Sequence, residues 1–408
     1  MRNQSLTIFI PHPSALLTDH LPNGDGLTAF GFIDHLAKRG HRLHVAVQEC
    51  ALQRPLPENV TLHPVNCRIK MPIVSRIEYM VRVRALFAEL RQKYRFDLIH
   101  QMNPVYTGLS LALIGTGVPL VLGTYVARWP DDPDAVRSVL PGMNRLLRLG
   151  REAICRLQQK YASTLLLTTP AAMNRIPAGK GVSPKVALLQ HGIDVSLFSP
   201  APEADRYAEA PSILFFANLW KRKGIYVLLK AFPKIAAAVP GCRLTIAGGG
   251  AGLPQVSSWI EGMPLRAQID LLGPIERSAA PGLFRKHSIY CLPSLGEPYG
   301  MSALEAMSCG LAVVASADGG LGYILPPEGS ILVEPGNVND LATALIELLR
   351  SPESRIQMGR YNREYAVQHF AWPIVVDQLE GIYEETLSRT RSSSRSAEVT
   401  SAQSASVA

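Results

Sequence analysis

The sequence predicts an α/β protein whose two doubly wound domains face each other across a cleft. Its 408 residues exceed what one hydrophobic core usually serves, and 47% of them are hydrophobic. Short β-rich runs alternate with helix-length segments in both halves, as expected for βαβ units in parallel sheets. Residues 200–211 are rich in Pro, Ala and acidic side chains, lack periodicity, and form the predicted linker between the domains.

The first half, residues 1–199, contains five predicted strands that alternate with four helices. The predicted strands are 6–10, 44–47, 98–100, 119–123 and 164–168, and the predicted helices are 27–39, 76–94, 108–114 and 145–161. Ligands bind beyond the carboxyl ends of the strands in such sheets, so the functional residues are expected in the loops that follow them.

The second half, residues 212–370, repeats this alternation. Its predicted strands are 213–216, 243–247, 269–272, 289–293 and 312–315, and its predicted helices are 224–239, 281–286, 300–309 and 338–349. A last helix, 371–387, begins near Trp372. The Ser/Ala-rich residues 388–408 are predicted to be disordered.

Composition limits the class of partner and the compartment. A formal charge of +8 suits anionic partners such as nucleotides or phospholipid surfaces, whereas the absence of a basic arm and of zinc-finger spacing argues against nucleic acid. Six scattered cysteines without a CxxC pair indicate reduced, buried thiols. No signal-peptide pattern is recognisable, and glycines and a proline interrupt the longest apolar run, residues 109–122. We expect a cytoplasmic protein, or one peripheral to the inner face of a membrane.

The most specific motif spans residues 293–310, where a predicted strand, a polar loop and a helix follow one another. Glu297 lies in the loop, and Glu305 lies eight positions later on the helix. Free backbone amides at the helix start, near Tyr299, Gly300 and Met301, would attract a phosphate. The two carboxylates could accept hydrogen bonds from sugar and ribose hydroxyls. For such a pair in isolation, two solvated carboxylates are the alternative.

This segment resembles the Glu-x7-Glu motif of the retaining family 4 glycosyltransferases in its usual setting, PS..E.(F/Y)G...LEAM..G..V. The resemblance implies the GT-B fold, with two Rossmann-like domains. The first domain would bind the acceptor, the second would bind a nucleotide-sugar donor, and the helix 371–387 would cross back to the first domain. It also implies transfer to a hydroxyl with retention of configuration and without a metal, with Glu297 at the sugar and Glu305 at the ribose.

A basic segment, residues 216–224, resembles the GRL...KG segment of this family, whose Arg and Lys neutralise the donor diphosphate. Lys223 and Gly224 match, but the arginine position is Asn218, which supplies no charge. Lys221 or Arg222 could compensate. Negative charge builds up on the leaving diphosphate, so we assign its stabilisation to Lys223. The alternative is a solvated basic turn.

Two glycine-containing loops extend the resemblance to the donor site. Gly24, Asp25 and Gly26 lie where the family has a loop that approaches the donor phosphate, although a surface turn needs the same residues. Asp25 could orient an acceptor hydroxyl or cap the following helix. Gly248 belongs to residues 246–250, which resemble the I.G.G strand end of the nucleotide domain. Residues 190–200 resemble the segment NG(V/I)D...F.P that precedes the linker.

One departure concerns the catalytic residues of the first half. Many relatives carry a histidine just after the strand that aligns with residues 119–123, where it contacts the sugar. This sequence has none there, and Tyr125 is the nearest candidate to replace it through its hydroxyl. His100 matches a common family pattern, and for it we favour a structural role over a catalytic one.

Arginine-rich amphipathic patterns at 76–94 and 145–161 could dock on anionic lipid, or could be ordinary solvated helices, which we favour. A UDP- or GDP-sugar is the expected donor, with UDP preferred only on its frequency among relatives. The acceptor could be a saccharide, a lipid-linked molecule or a small molecule. A nucleotide-sugar hydrolase, phosphorylase or epimerase on the same fold, and a non-catalytic partner of another transferase, are the alternative functions.

Overall fold

The protein folds around two parallel β-sheets, which confirms the predicted fold class. The computed structural model describes residues 5–68, 72–103, 108–128, 143–176, 185–202 and 212–405. Most of the predicted linker, residues 203–211, lies outside these ranges, so the exact domain boundaries remain a prediction.

The first sheet has seven parallel strands in the order β5-β3-β1-β6-β7-β8-β9. Its chain order reverses beside β1, which leaves the carboxyl ends of β1 and β6 at a switch point. The strands, together with a separate two-stranded pair β2–β4, are β1 (Thr7–Ile10), β2 (Leu16–Thr18), β3 (Arg42–Val47), β4 (Glu49–Ala51), β5 (Val60–Pro64), β6 (Leu98–Gln101), β7 (Leu120–Tyr125), β8 (Thr164–Leu167) and β9 (Lys185–Leu188).

The helices of this half are α1 (Gly24–Lys38), α2 (Pro72–Leu90) and α3 (Met143–Tyr161). Helix α1 is capped by Asn23, whose Oδ1 accepts a hydrogen bond from the Gly26 N–H at 2.9 Å. The suggested capping role of Asp25 is therefore wrong, and Asp25 lies in the first helical turn, where its negative charge suits the helix dipole. The predicted helix 108–114 is a single 3-10 helix, Leu109–Leu113.

The second sheet has six parallel strands in the order β12-β11-β10-β13-β14-β15. They are β10 (Ser212–Phe216), β11 (Arg243–Ala247), β12 (Ile269–Gly273), β13 (Ile289–Leu292), β14 (Ala312–Ser316) and β15 (Ser330–Val333). The helices that cover this sheet or follow it are α4 (Ile225–Ala238), α5 (Leu253–Glu261), α6 (Ala280–Arg285), α7 (Met301–Ser308), α8 (Leu321–Ile324), α9 (Val338–Arg350) and α10 (Pro352–Phe370).

The last helix, α11 (Trp372–Ala405), returns to the first sheet. Its apolar side completes the core between α1 and the first sheet with Trp372, Val375, Val376, Leu379 and Tyr383, all at most 7% exposed. The crossing thus fits the path that the resemblance implied.

Trp372 sits where the chain crosses, and two glycines make room for its ring. A Cβ atom on Gly31 of α1 would lie 1.9 Å from the ring, and one on Gly192 would lie 2.3 Å from it. The ring also stacks on His35, with 5.2 Å between centroids, and meets Phe32 edge-on. Any side chain at either glycine would therefore displace the tryptophan.

The prediction of a disordered tail is wrong for residues 388–405, which continue α11. Gly381 is the last glycine of the chain and Pro373 the last proline, so no helix breaker follows. Arg389 adds an anchor, because its guanidinium donates hydrogen bonds to the Ser163 carbonyl and to Thr164 Oγ1 on the first sheet. Residues 406–408 lie outside the described ranges.

The sequence also predicted reduced, buried cysteines and no apolar segment long enough to span a membrane. All six cysteines lie in the described ranges and none forms a disulfide; four are buried, whereas Cys50 is exposed and Cys67 is half-buried. Within those ranges, no helix combines the length and the apolar character needed to cross a bilayer.

Candidate active site

An ion pair between Lys223 and Glu297 lies at the carboxyl edge of the second sheet. Lys223 ends a short 3-10 helix after β10, and Glu297 lies in the loop after β13. The Lys223 Nζ lies 2.5 Å from Glu297 Oε2, and the two side chains are 14% and 4% exposed. Ser294 donates a second hydrogen bond to the same oxygen, at 3.1 Å. The two residues predicted from separate motifs are therefore brought together.

Gly224 explains why these two loops can approach each other. Its φ of +77° is the left-handed conformation that glycine adopts without steric cost, and a Cβ there would lie 1.7 Å from the Pro293 carbonyl oxygen. The Leu295 N–H donates to the Arg222 carbonyl at 2.6 Å, which joins the loops on the other side. The Lys-Gly sequence thus supplies both the cation and the close backbone contact that positions it.

Glu305 lies in the second turn of α7 and pairs with a residue that sequence analysis missed. Arg277 Nη1 donates to Glu305 Oε1 at 2.7 Å, with the side chains 23% and 6% exposed. Arg277 follows β12, the edge strand of the second sheet, from which β13 is separated by β11 and β10. It lies 28 positions before Glu305, outside any of the motifs, so no local pattern pointed to it.

Helix α7 begins at Met301, directly after Gly300, whose φ is +104°. Its first backbone N–H groups lie in the same loop–helix unit as Glu297, where they could hold a phosphate. The Tyr299 side chain is buried rather than open to a ligand, and its hydroxyl accepts a hydrogen bond from the His191 N–H at 2.9 Å. Tyr299 therefore links the loop that contains Glu297 to the segment that follows the first sheet.

The predicted role of Tyr125 is wrong. The side chain is 1% exposed and packs within the apolar core that contains Phe9 and Phe87. Neighbouring residues of a strand point to opposite faces, so half-buried Thr124 points the other way. Thr124 Oγ1 lies 2.6 Å from His191 Nε2. Thr124, the last residue but one of β7, is thus the polar group of this strand that contacts residues 190–200, through His191.

His100 has the structural role that was favoured for it. It is 1% exposed, its Nδ1 lies 2.6 Å from the Tyr383 hydroxyl, and its Nε2 lies 2.9 Å from the Gly123 carbonyl. The ring therefore joins α11 to the end of β7. Burial lowers the pKa of His100 to about 4 and that of His191 to about 3.

The lowered pKa values of these two histidines predict that the free energy of unfolding falls at acidic pH. The unfolded chain binds protons at them below pH 6.5 and the folded protein does not, so stability is complete above pH 6.5 and falls as the pH decreases. At pH 5 each should cost about 2 kcal/mol of unfolding free energy relative to pH 7. Urea unfolding at pH 7 and pH 5 should show a smaller loss for His191→Gln than for the wild type. An equal loss in both proteins would contradict the assignment.

The remaining residues that were predicted to bind the donor lie at the start of α1 and after strands β10 and β11 of the second sheet. Gly24, Asp25 and Gly26 form the first turn of α1 rather than a loop before it. Asn218 is exposed directly after β10, and Gly248 follows β11 beside it, where the Ala217 N–H donates to the Ala247 carbonyl. Contact of these residues with a donor remains a prediction.

A cavity of about 400 Å³ adjoins this site between α1, residues 192–197 and the start of α11. It is lined from the second sheet by Arg277 and Met301, and from α1 by Leu27 and Thr28. It therefore lies between α1 and the side of the second half that carries Arg277 and Met301. Among the described residues, no group of three or more His, Cys, Asp or Glu side chains is arranged to hold a metal ion.

Two family models match the chain. Residues 22–197 match the model described as Glycosyltransferase Family 4, and residues 202–365 match the one described as Glycosyl transferases group 1. A phosphatidyl-myo-inositol mannosyltransferase of Mycolicibacterium smegmatis is 30% identical over 305 residues, which cover 71% of each chain. A GDP-mannose-dependent monoacylated alpha-(1-6)-phosphatidylinositol monomannoside mannosyltransferase of Corynebacterium glutamicum is 28% identical over 60% of this chain and 66% of its own length.

Solved structures share the fold at lower identity. Sucrose-phosphate synthase from Thermosynechococcus elongatus superposes with a TM-score of 0.73 at 21% identity, over 95% of this chain and all of that one. Anabaena HepE, solved with UDP and glucose, gives a TM-score of 0.70 at 19% identity, over 93% and 99% of the two chains. From these matches and the fold, the chain belongs to glycosyltransferase family 4 and is a GT-B enzyme that transfers glycosyl groups with retention of configuration.

Proposed function

We propose that this glycosyltransferase moves a hexose from a nucleoside-diphosphate sugar to a hydroxyl group of a membrane lipid. GDP-mannose is the first donor to test and an inositol phospholipid the first acceptor. The support is the function of the relatives that are 28–30% identical, which are mannosyltransferases named for phosphatidylinositol or its mannoside. UDP was expected only because it is frequent among relatives, so a UDP-sugar is the second donor to test.

The observation that carries the proposal is the Lys223–Glu297 pair, in which Glu297 is buried and Lys223 is half-buried, beside the start of α7. In the proposed reaction the bond between the sugar C1 and the diphosphate oxygen breaks while the acceptor oxygen bonds to C1 on the same face. The acceptor proton passes to the leaving phosphate oxygen. Negative charge grows on that diphosphate, and Lys223 with the amides of α7 would stabilise it in a partly dehydrated site.

The other side chains would orient the substrates. Glu297 would accept hydrogen bonds from sugar hydroxyls and Glu305 from ribose hydroxyls, because ionised carboxylates only accept hydrogen bonds. The first turn of α1 would approach the donor phosphate across the cavity. Thr124, which His191 contacts, would take the role first predicted for Tyr125 at the end of β7.

A donor and acceptor screen tests the proposal. The purified protein would be incubated with GDP-mannose, UDP-glucose, UDP-N-acetylglucosamine or ADP-glucose, with and without phosphatidylinositol in detergent micelles. We expect an acceptor-dependent product from one donor, with the anomeric configuration of that donor by NMR. Release of free sugar at the same rate with and without lipid would indicate a hydrolase. Further samples would contain a soluble saccharide in place of the lipid, and a product that forms only there would reject the lipid acceptor.

A membrane surface is also part of the proposal, because α2 and α3 expose apolar side chains beside basic ones. On α2, Ile77 and Val81 are 56% and 64% exposed, and on α3, Leu149 and Leu157 are 51% and 44% exposed. Exposed basic residues accompany them, namely Arg76, Arg84, Arg91, Arg156 and Lys160.

Both helices lie on the same side of the first sheet. Arg84 of α2 donates to the Ala112 carbonyl, and Gln158 of α3 donates to Ser110, so both contact the same 3-10 helix. Apolar side chains surrounded by cations are complementary to a bilayer rich in anionic phospholipid, which is the occupant we propose.

The double substitution Ile77→Glu/Val81→Glu should weaken binding to vesicles containing 30% phosphatidylglycerol at least tenfold, since each apolar side chain that enters the interface contributes about 1–2 kcal/mol. Vesicle co-sedimentation measures this. The matched control Val367→Glu/Leu272→Glu changes two residues of similar size that are 37% and 45% exposed in the second half, and it should bind like the wild type. Equal loss in both variants would argue against a specific surface.

A further inference from the structure

Arg277 is held rigidly although it lies at the edge of a cleft. One end of its guanidinium contacts Glu305, with 2.7 Å between Nη1 and Oε1. Its Cζ lies 5.1 Å from the ring centroid of Phe198, a fully buried residue of the segment between the two sheets. An arginine that meets a carboxylate and an aromatic face together has little freedom to move, because both contacts depend on the orientation of its plane.

The contact with Arg277 leaves Glu305 able to accept further hydrogen bonds. Arg277 contacts one carboxylate oxygen, Oε1, whereas an ionised carboxylate can accept about four hydrogen bonds in all. Glu305 is 4% exposed, and a buried carboxylate is costly unless a cation pairs with it. Arg277 provides that pairing and fixes the rotation of the carboxylate, and it leaves acceptor capacity for other hydroxyl groups.

From this geometry we infer that Arg277 is a positioning residue, which fixes Glu305 for the ribose diol of the donor and thereby sets the preference for ribonucleotides over deoxyribonucleotides. The inference rests on the donor site proposed above, in which Glu305 accepts ribose hydroxyls. Arg277 itself need not touch the nucleotide. Its effect should therefore appear mainly in the part of the affinity that depends on the 2′-hydroxyl.

The test compares dissociation constants for GDP and dGDP, and in parallel for UDP and dUDP, by titration calorimetry. The wild type should bind the preferred ribonucleotide at least tenfold more tightly than its deoxy form, because hydrogen bonds to a charged acceptor are strong. Arg277→Met should reduce this ratio at least threefold while changing the affinity for the deoxy form less than twofold. Arg277→Lys, which keeps the charge but not the planar contacts, should give an intermediate ratio.

Arg243→Met is the matched control, because Arg243 also pairs with a carboxylate, Asp270, at 2.8 Å in the same half of the chain but on its surface. This variant should keep the wild-type ratio. A parallel loss for both forms in Arg277→Met and Arg277→Lys, or an unchanged ratio, would overturn the inference. A wild type that binds the nucleotides without distinguishing ribose from deoxyribose would also overturn it, whereas a wild type that binds none of the four would reject the donor site itself.

Discussion

Lys223→Ala is expected to lower kcat/KM for glycosyl transfer by two to three orders of magnitude, or about 3–4 kcal/mol of transition-state stabilisation. Among the described residues, Lys223 supplies the one amino group that lies against Glu297, and Asn218 supplies no charge at the position where the family motif predicts arginine. Initial rates with the donor that the screen selects would measure the effect. Lys221→Ala removes an exposed cation from the same 3-10 helix, and it should stay within twofold of the wild type.

The ion pair between Lys223 and Glu297 also predicts a change in folding stability. Removing Lys223 leaves Glu297, 4% exposed, without its cation, which should cost about 3–5 kcal/mol of folding free energy. The double variant Lys223→Ala/Glu297→Gln should regain part of that stability but none of the activity. Retention of more than a tenth of the wild-type activity in folded Lys223→Ala would show that the leaving group is stabilised elsewhere.

Trp372→Ala is expected to destabilise the protein by about 3–5 kcal/mol, the usual cost of removing a large buried aromatic side chain. The cavity would be hard to close, because Gly31 and Gly192 have no side chains with which to fill it. Urea unfolding followed by circular dichroism would measure the change.

The matched control is Trp259→Ala. Trp259 is 41% exposed and lies against Tyr226 with 5.2 Å between ring centroids, so its loss should cost less than about 1 kcal/mol. Gly192→Ala approaches the same site from the other side, since its methyl group would collide with the indole ring. A small effect of both Trp372→Ala and Gly192→Ala would mean that α11 docks independently of the tryptophan.

The strand–loop–helix unit around Glu297 could be predicted because its signals are local. A strand, a polar loop, a helix start and a glycine stop follow one another within 18 residues, and the structure has α7 at Met301–Ser308 as expected within one residue. The partners of its carboxylates could not be predicted. Lys223 lies 74 positions before Glu297, and only the order of the strands in the sheet brings the two together.

The errors have equally specific causes. Tyr125 and Thr124 point to opposite faces of β7, and a strand that is buried on both sides has no alternation in its sequence to tell the faces apart. Strands β2 and β4 have only three residues each, too few for a pattern to emerge. The end of α11 was misjudged because low hydrophobicity was taken as disorder, although the segment contains no residue that stops a helix.

The return of α11 to the first sheet has a consequence for biosynthesis. The core beneath α1 is completed by Trp372, Val375 and Val376, yet roughly 180 residues separate them from Leu189 of the same core. At about 5–20 residues per second, a ribosome needs on the order of 10–40 s to make that stretch. Throughout that interval the nascent chain carries an uncovered apolar groove along α1, so chaperone binding should be strongest on chains stalled before residue 372 and should decline once α11 has emerged.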